Sequence, residues 1–147
     1  MRLSAFASSA CLPVLLTGCL TFAPKYSDVI FQKLGVVGTE LTKLETLIET
    51  RAPQPVAYSG VEPLYISALA SAKEAQDLAT KRPAYLEGQP AAKAAELVAQ
   101  NIQACWDAIE FSRKRFAREG QARNELDNIA IVKNICAIPK TMEGALK

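Results

Sequence analysis

The stretch PAAKAAELVAQNIQACWDAIEFSRKRFARE, residues 90–119, decides the fold class of this chain. Six positions along it are separated by 4, 3, 4, 3 and 4 residues: Val98, Ile102, Cys105, Ile109, Ser112 and Phe116. Residues at this spacing share one face of an α-helix, so the stretch predicts a long helix with one buried stripe. Leu97, Trp106 and Phe111 broaden the apolar surface, and Gly120 suits the C-cap.

The stretch 28–51 shows the same pattern and predicts an earlier helix. Its apolar positions are again separated by 4 and 3 residues in alternation: Ile30, Leu34, Val37, Leu41, Leu44 and Ile48. Pro53 and Pro55 end this helix, since proline cannot continue one, and residues 52–62 are expected to form a loop.

Two further helices are predicted between and after these. Residues 62–81 are expected to begin a helix at Glu62 and Pro63, because proline is tolerated in the first turn. Its apolar positions are Leu64, Ala68, Ala72, Ala75, Leu78 and Ala79. Residues 123–138 are expected to form the last helix, with Asn124 as a cap and Pro139 as its end. Its buried side is expected to comprise Leu126, Ile129, Val132, Ile135, Cys136 and Ile138.

These segments predict an all-α fold in which residues 28–147 form one small antiparallel bundle of about four helices, connected up-down-up-down. Connections of a few to about 11 residues favour neighbours that run antiparallel. Two helical hairpins stacked as in a solenoid are the alternative topology.

The N-terminus has the features of a cleaved leader. Arg2 is followed by a short apolar run, which ends at Leu16-Thr17-Gly18-Cys19. These four residues resemble the lipobox of bacterial lipoprotein precursors. The resemblance covers residues 1–20. It implies a signal peptide at 1–18, acyl chains on Cys19 and a lipidated tether at 19–27.

In that family Leu20 after the cysteine, rather than Asp, implies the outer membrane, with the domain facing the periplasm. Placement in the inner membrane or at the cell surface stays open. An ordinary leader with a chance cysteine, or an N-terminal membrane helix, is the alternative explanation of the same residues.

The lipoprotein resemblance also bears on the four cysteines. Cys11 would leave with the leader and Cys19 would carry lipid, so Cys105 and Cys136 would remain in an oxidising compartment. They lie 15 residues before and 16 after Gly120, where a turn between antiparallel helices would bring them side by side. We therefore expect a Cys105–Cys136 disulfide; two buried free thiols are the alternative.

Composition excludes several kinds of chemistry. The chain has no histidine, which removes imidazole as a catalytic base, zinc ligand or axial haem ligand. Its net charge of +2 gives no signal for nucleic acid. No metal, cofactor or catalytic residue is predicted, and Asp107 with Glu110 is interpreted as surface charge.

Two groups of residues are candidates for contact with a partner or a membrane. The first is a basic patch, predicted to touch lipid phosphates or an acidic partner, or else to be a solvated helix end: Arg113, Lys114, Arg115, Arg118 and Arg123. The second is the loop that holds Tyr58. Trp106, Phe111 and Tyr85 could line a pocket or a partner groove, although Trp106 and Phe111 are expected mainly in the core.

From the sequence we expect a non-enzymatic binding or assembly-accessory module that is held at the membrane through acylated Cys19 and binds another envelope protein. One alternative is an inhibitor or immunity-type protein that blocks a periplasmic toxin or lytic enzyme through the Tyr58 loop. Another is a carrier that holds an apolar small molecule in a cavity lined by the alanines of the second helix.

Overall fold

The computed structural model describes residues 25–89, 91–119 and 125–147, with the side chains of residues 84 and 85 left out. Within these ranges the chain forms four α-helices: α1 Asp28–Arg51, α2 Tyr58–Ala79, α3 Ala91–Glu119 and α4 Glu125–Gly144. A 3-10 turn, Pro83–Leu86, lies between α2 and α3. The leader, Cys19, Gly120, Arg123 and Asn124 lie outside the described residues, as does the side chain of Tyr85.

The helices form an antiparallel bundle. Each packs against the helix before and after it in the chain, and α4 packs against α1 to close the bundle. This confirms the all-α, up-down prediction for the described residues. α1 and α3 therefore run in one direction, and α2 and α4 in the other.

The predicted stripes of α1 and α3 are confirmed. All six predicted positions on α1, from Ile30 to Ile48, are buried, and so are all six on α3, from Val98 to Phe116. The core has two clusters. One lies near the end of the bundle where α1 begins, around Ile30, Leu34 and Val98; the other fills the rest, around Leu44, Tyr65 and Phe116.

The prediction for the start of α2 is wrong. The helix begins at Tyr58, so the preceding loop is shorter than expected and Pro63 lies inside the helix. Proline costs the helix the hydrogen bond that its N–H would have made to residue 59. The earlier start brings Val61 into the core beside Tyr65, where both are 0% exposed, while Pro63 itself faces solvent. Leu78, one of the apolar positions of the predicted helix, is 41% exposed.

The prediction for the end of α4 is also wrong. The helix continues through Pro139 to Gly144. Pro139 occupies the buried position and Ile138, predicted to be buried, is 48% exposed. The extra turn carries Glu143 into the bundle, where it is 0% exposed. The ion pair of Glu143 with Arg82 and its hydrogen bond from Ser27 offset the loss of the backbone hydrogen bond that Pro139 cannot make.

Glu143 joins three segments at one end of the bundle. Its two carboxylate oxygens accept from Nη1 and Nη2 of Arg82 at 2.9 and 3.0 Å. The backbone N–H of Ser27 donates to the same carboxylate at 2.5 Å, and the Ser27 hydroxyl caps α1 by accepting from the Ile30 N–H. We call this the tether end, because the chain enters α1 here. The opposite end, where α3 ends and α4 begins, is the distal end.

Candidate functional site

A disulfide links α3 to α4. Cys105 and Cys136 are bonded, with their Cα atoms 4.6 Å apart, and both are buried. This confirms the predicted pairing and fixes the register of the two helices midway along their contact. Trp106, the next residue after Cys105, is partly buried and packs against the larger core cluster, which contains both cysteines.

An apolar groove runs along the outer side of the disulfide-linked pair. It has a volume of about 140 Å³, and we call it the α3–α4 groove. Its walls are mostly aliphatic or aromatic: Ala108, Phe111, Ser112, Arg115, Asn128, Ile131, Val132 and Ile135. Phe111 is 66% exposed and Ile131 is 56% exposed, so the expectation that Phe111 belongs to the core is wrong.

The apolar surface extends beyond the groove along both helices. Leu97 lies 14 residues before Phe111, and Ile138 lies seven after Ile131, so each shares a helix face with its counterpart. Leu97 is 42% exposed and Ile138 is 48% exposed. Each helix thus carries a second, outward apolar row beside the row that fills the core. Exposed apolar surface that is contiguous over several side chains is typical of a binding surface.

The described residues of the predicted basic patch lie near the distal end of α3, and among them Arg115 lines the groove. Arg113 donates through Nε and Nη2 to Glu110 and through Nη1 to the Tyr58 hydroxyl, at 2.7 to 3.2 Å. Lys114 pairs with the same Glu110 at 3.2 Å. The hydrogen bond from Arg113 is the main reason that the pKa of Glu110 falls to about 2. The structure therefore brings Arg113 and Tyr58, predicted separately, into direct contact.

Arg115 and Arg118, the other two cations of the patch that the structure describes, differ in their burial. Arg115 is partly buried and pairs with Glu119 at 3.3 Å and with Glu125 at 3.4 Å. Arg118 is exposed, and together with Phe111 and Lys114 it lines a shallow depression that adjoins the groove. Phe111 is thus bordered by Lys114 and Arg118 on its distal side, whereas the exposed carboxylate of Asp107 lies one helical turn towards the tether end.

A buried polar network supports this end of the groove. The Ser112 hydroxyl donates to Glu125 at 3.3 Å, so its 2.9 Å contact with the Tyr65 hydroxyl is donated by Tyr65. Asn128 and Arg115 donate to the other oxygen of Glu125, whose side chain is 1% exposed. Burial is the main cause that raises the pKa of Glu125, and burial likewise raises that of Tyr65.

Sequence reasoning missed this network, and it left a groove at Phe111 as the alternative to a place in the core. A signal for the groove was present: Leu97 and Phe111 are offset from the core row of α3 by one position, and Ile131 and Ile138 are offset in the same way on α4. The network had no local signal, because Tyr65, Ser112 and Glu125 lie on three different helices.

A second cavity, of about 530 Å³, opens at the tether end. Its polar lining residues are Lys25, Ser27, Arg82 and Gln89, and its apolar lining residues are Ile30, Leu78 and Leu86. Arg82 is already paired with Glu143, so its charge is compensated within the bundle.

In the part of the chain that the structure describes, no group of three or more Cys, Asp or Glu side chains is placed to hold a metal ion. None of the helices α1 to α4 is long and apolar enough to cross a membrane. Asp107, one of the two carboxylates considered from the sequence, accepts a hydrogen bond from Gln103 at 2.9 Å. Comparisons with protein-family models, with curated proteins and with solved structures found no match to this chain.

Proposed function

We propose that this protein is a lipid-anchored, non-enzymatic binding module of the bacterial envelope. Acylated Cys19 holds it at the outer membrane, facing the periplasm, and another envelope protein binds along the α3–α4 groove. The observation that carries the proposal is the outward apolar row on each of two helices that are joined by a disulfide. Such a surface is costly to expose to water and gains free energy when a partner covers it.

The placement of the basic patch favours a protein over lipid as its contact. Ser27 lies at the tether end, whereas Arg113 to Arg118 lie at the distal end, separated from it by roughly the length of α1. A helix of 24 residues is about 36 Å long. An anchor next to the tether end therefore holds the basic patch away from the bilayer surface. At that distance the patch can contact an acidic partner protein.

The two alternative functions receive less support. An inhibitor would use a protruding Tyr58, but this ring is partly buried in the first turn of α2 and contacts Phe116, with ring centroids 6.1 Å apart. A carrier would need space beside the alanines of α2, but Ala68, Ala72 and Ala75 are packed at 0% exposure. Close helix contact explains these alanines without a ligand.

A photo-crosslinking experiment in living cells tests the binding surface. A photoreactive phenylalanine analogue replaces Phe111 in one variant and Ile66 in a control variant, because Ile66 is also apolar and half exposed but lies on α2. We expect a specific envelope-protein adduct at Phe111 that is absent at Ile66. Equal adducts at both positions, or none at Phe111, would refute the groove as the binding surface.

The anchor is tested separately. We expect Cys19→Ala to leave an uncleaved or soluble product that no longer partitions into the detergent phase, since stable attachment requires acyl chains. Cys11→Ala is the matched control, because that cysteine belongs to the predicted leader. Unchanged detergent partition of Cys19→Ala would contradict the anchor.

A further inference from the structure

We propose that the α3–α4 groove binds an amphipathic helix of the partner, with Asp or Glu side chains at the end of that helix which meets Arg118. This inference rests on the proposed function and specifies the chemistry of the partner.

The shape of the surface fits a helix. Two adjacent antiparallel helices with outward apolar rows form a groove between them, and the ridge of side chains on a third helix packs into such a groove. Phe111 on α3 and Ile131 on α4 line opposite sides of the groove, and the smaller Ala108 and Val132 lie between them. The partner helix is therefore expected to place an apolar side chain every three or four residues along one face.

The apolar rows also set the length of the partner helix. Leu97 and Phe111 are 14 residues apart on α3. At a rise of 1.5 Å per residue they span about 21 Å. The partner helix is thus expected to contribute about four turns.

The charges give the groove a direction. Arg118 is exposed, lies seven residues after Phe111 and continues the same row, while Arg115 lines the groove but is already paired with Glu119 and Glu125. Towards the tether end this side of α3 carries the acidic Asp107 and the uncharged Ala104 and Leu97. A helix with carboxylates at one end is complementary to this pattern, and the opposite charge at that end would be repelled.

A second copy of this chain fits the pattern poorly. In an antiparallel pair, Arg118 of one copy would face the Leu97 region of the other, where the nearest carboxylate in sequence, Glu96, already pairs with Lys93 at 3.0 Å. In a parallel pair, Arg115 and Arg118 would face the same cations of the other copy.

A bilayer also fits less well than a helix. The surface is a groove rather than a convex patch, and two of its neighbouring cations, Arg113 and Arg115, are already paired with Glu110 and Glu119. Binding to an anionic bilayer would gain most from cations that are free to meet lipid phosphates.

The test uses the full-length protein in nanodiscs of neutral phosphatidylcholine and two synthetic helical peptides of about 20 residues. Both peptides carry leucine at every third or fourth position. One has Glu side chains in a terminal turn and the other has Lys there, and each is free to lie in either direction. Binding is followed by fluorescence anisotropy, with empty nanodiscs as the blank.

We expect the Glu peptide to bind about tenfold or more tightly than the Lys peptide at low salt, and this ratio to fall as salt is added. Arg118→Glu is expected to reverse the preference, because Arg118 is exposed and its replacement leaves the core intact. Phe111→Ser is expected to abolish binding of both peptides, whereas Ile66→Ser, the matched surface control, leaves binding unchanged.

Three results would overturn the inference: equal affinity for the two peptides, no binding of either, or a crosslink from Phe111 to a second copy or to lipid. An envelope-protein adduct at Phe111 without peptide binding would refute the helix while leaving the proposed function standing. Absence of any Phe111 adduct would refute the proposed function itself.

Discussion

Reduction of the Cys105–Cys136 disulfide is expected to cost a large part of the stability of the bundle. The bond closes a loop of 31 residues that contains the end of α3 and the start of α4. When this link is broken the unfolded chain gains conformational freedom, while the folded bundle keeps its other contacts. Because both cysteines are buried among apolar residues, the reduced thiols remain in the core as small apolar groups and leave no cavity.

The loop length sets the size of the effect. For a separation of 31 residues the chain-entropy relation gives about 3.7 kcal/mol at 25 °C. A bundle of this size has a urea m-value of about 1.5 kcal/mol/M, so the unfolding midpoint is expected to fall by about 2.5 M. The thermal midpoint should fall by about 15 °C, since 1 kcal/mol corresponds to about 4 °C for a domain of this length.

The assay compares the full-length protein before and after reduction, so that no residue changes. Urea unfolding is followed by the far-ultraviolet circular dichroism of the helices, and thiol labelling with mass spectrometry confirms that the bond is open. The double variant Cys105→Ala, Cys136→Ala serves as the control, because reductant should not affect its midpoint. A midpoint that moves by less than about 0.5 M on verified reduction would refute the reasoning, since loop closure would then contribute little.

Three further predictions concern buried polar groups. Arg82→Ala is expected to lower the unfolding free energy by about 3–5 kcal/mol, because it leaves Glu143 buried without its cation. Lys73→Ala, which breaks an exposed pair, should change the unfolding free energy by under about 1 kcal/mol. Equal losses for the two variants in urea unfolding would contradict this prediction. Burial raises the pKa of Glu125 above 4.5, so the wild type should lose stability relative to Glu125→Gln as pH rises from 4.5 through the folded-state pKa. A stability difference that stays constant or shrinks over that range would count against the buried network. Tyr65→Phe should cost about 1 kcal/mol in the same assay, since it removes one buried hydrogen bond, and no loss would show that the hydroxyl is dispensable.

Two errors of sequence reasoning share one physical cause. Pro63 and Pro139 were expected to start and stop helices, and both lie inside them. The local cost of a proline is the loss of one backbone hydrogen bond and some crowding. Burial of Val61 and Tyr65 in one case, and of Glu143 in the other, offsets this cost through contacts with other helices. Such contacts between helices cannot be predicted from the residues adjacent to the proline in the sequence.

The candidate site was predictable only in part. The disulfide followed from the positions of Cys105 and Cys136 about the expected turn, once the leader resemblance had accounted for the other cysteines. The cations around Arg113 were also found, but their partners were not, because Tyr58 is 55 residues away in the chain. A groove at Phe111 was only the alternative to a place in the core, although Phe111 is offset by one position from the buried row of α3.

The sequence by itself determined that this chain folds as helices and which faces of α1 and α3 are buried, because a stripe of apolar side chains at 3.6-residue periodicity is a property of one helix alone. The tertiary structure decided where α2 begins, where α4 ends and that Glu143 pairs with Arg82. It also decided that α3 and α4 keep a second apolar row uncovered. These outcomes depend on which helices become neighbours, and the free energy of a contact exists only between residues that the fold brings together.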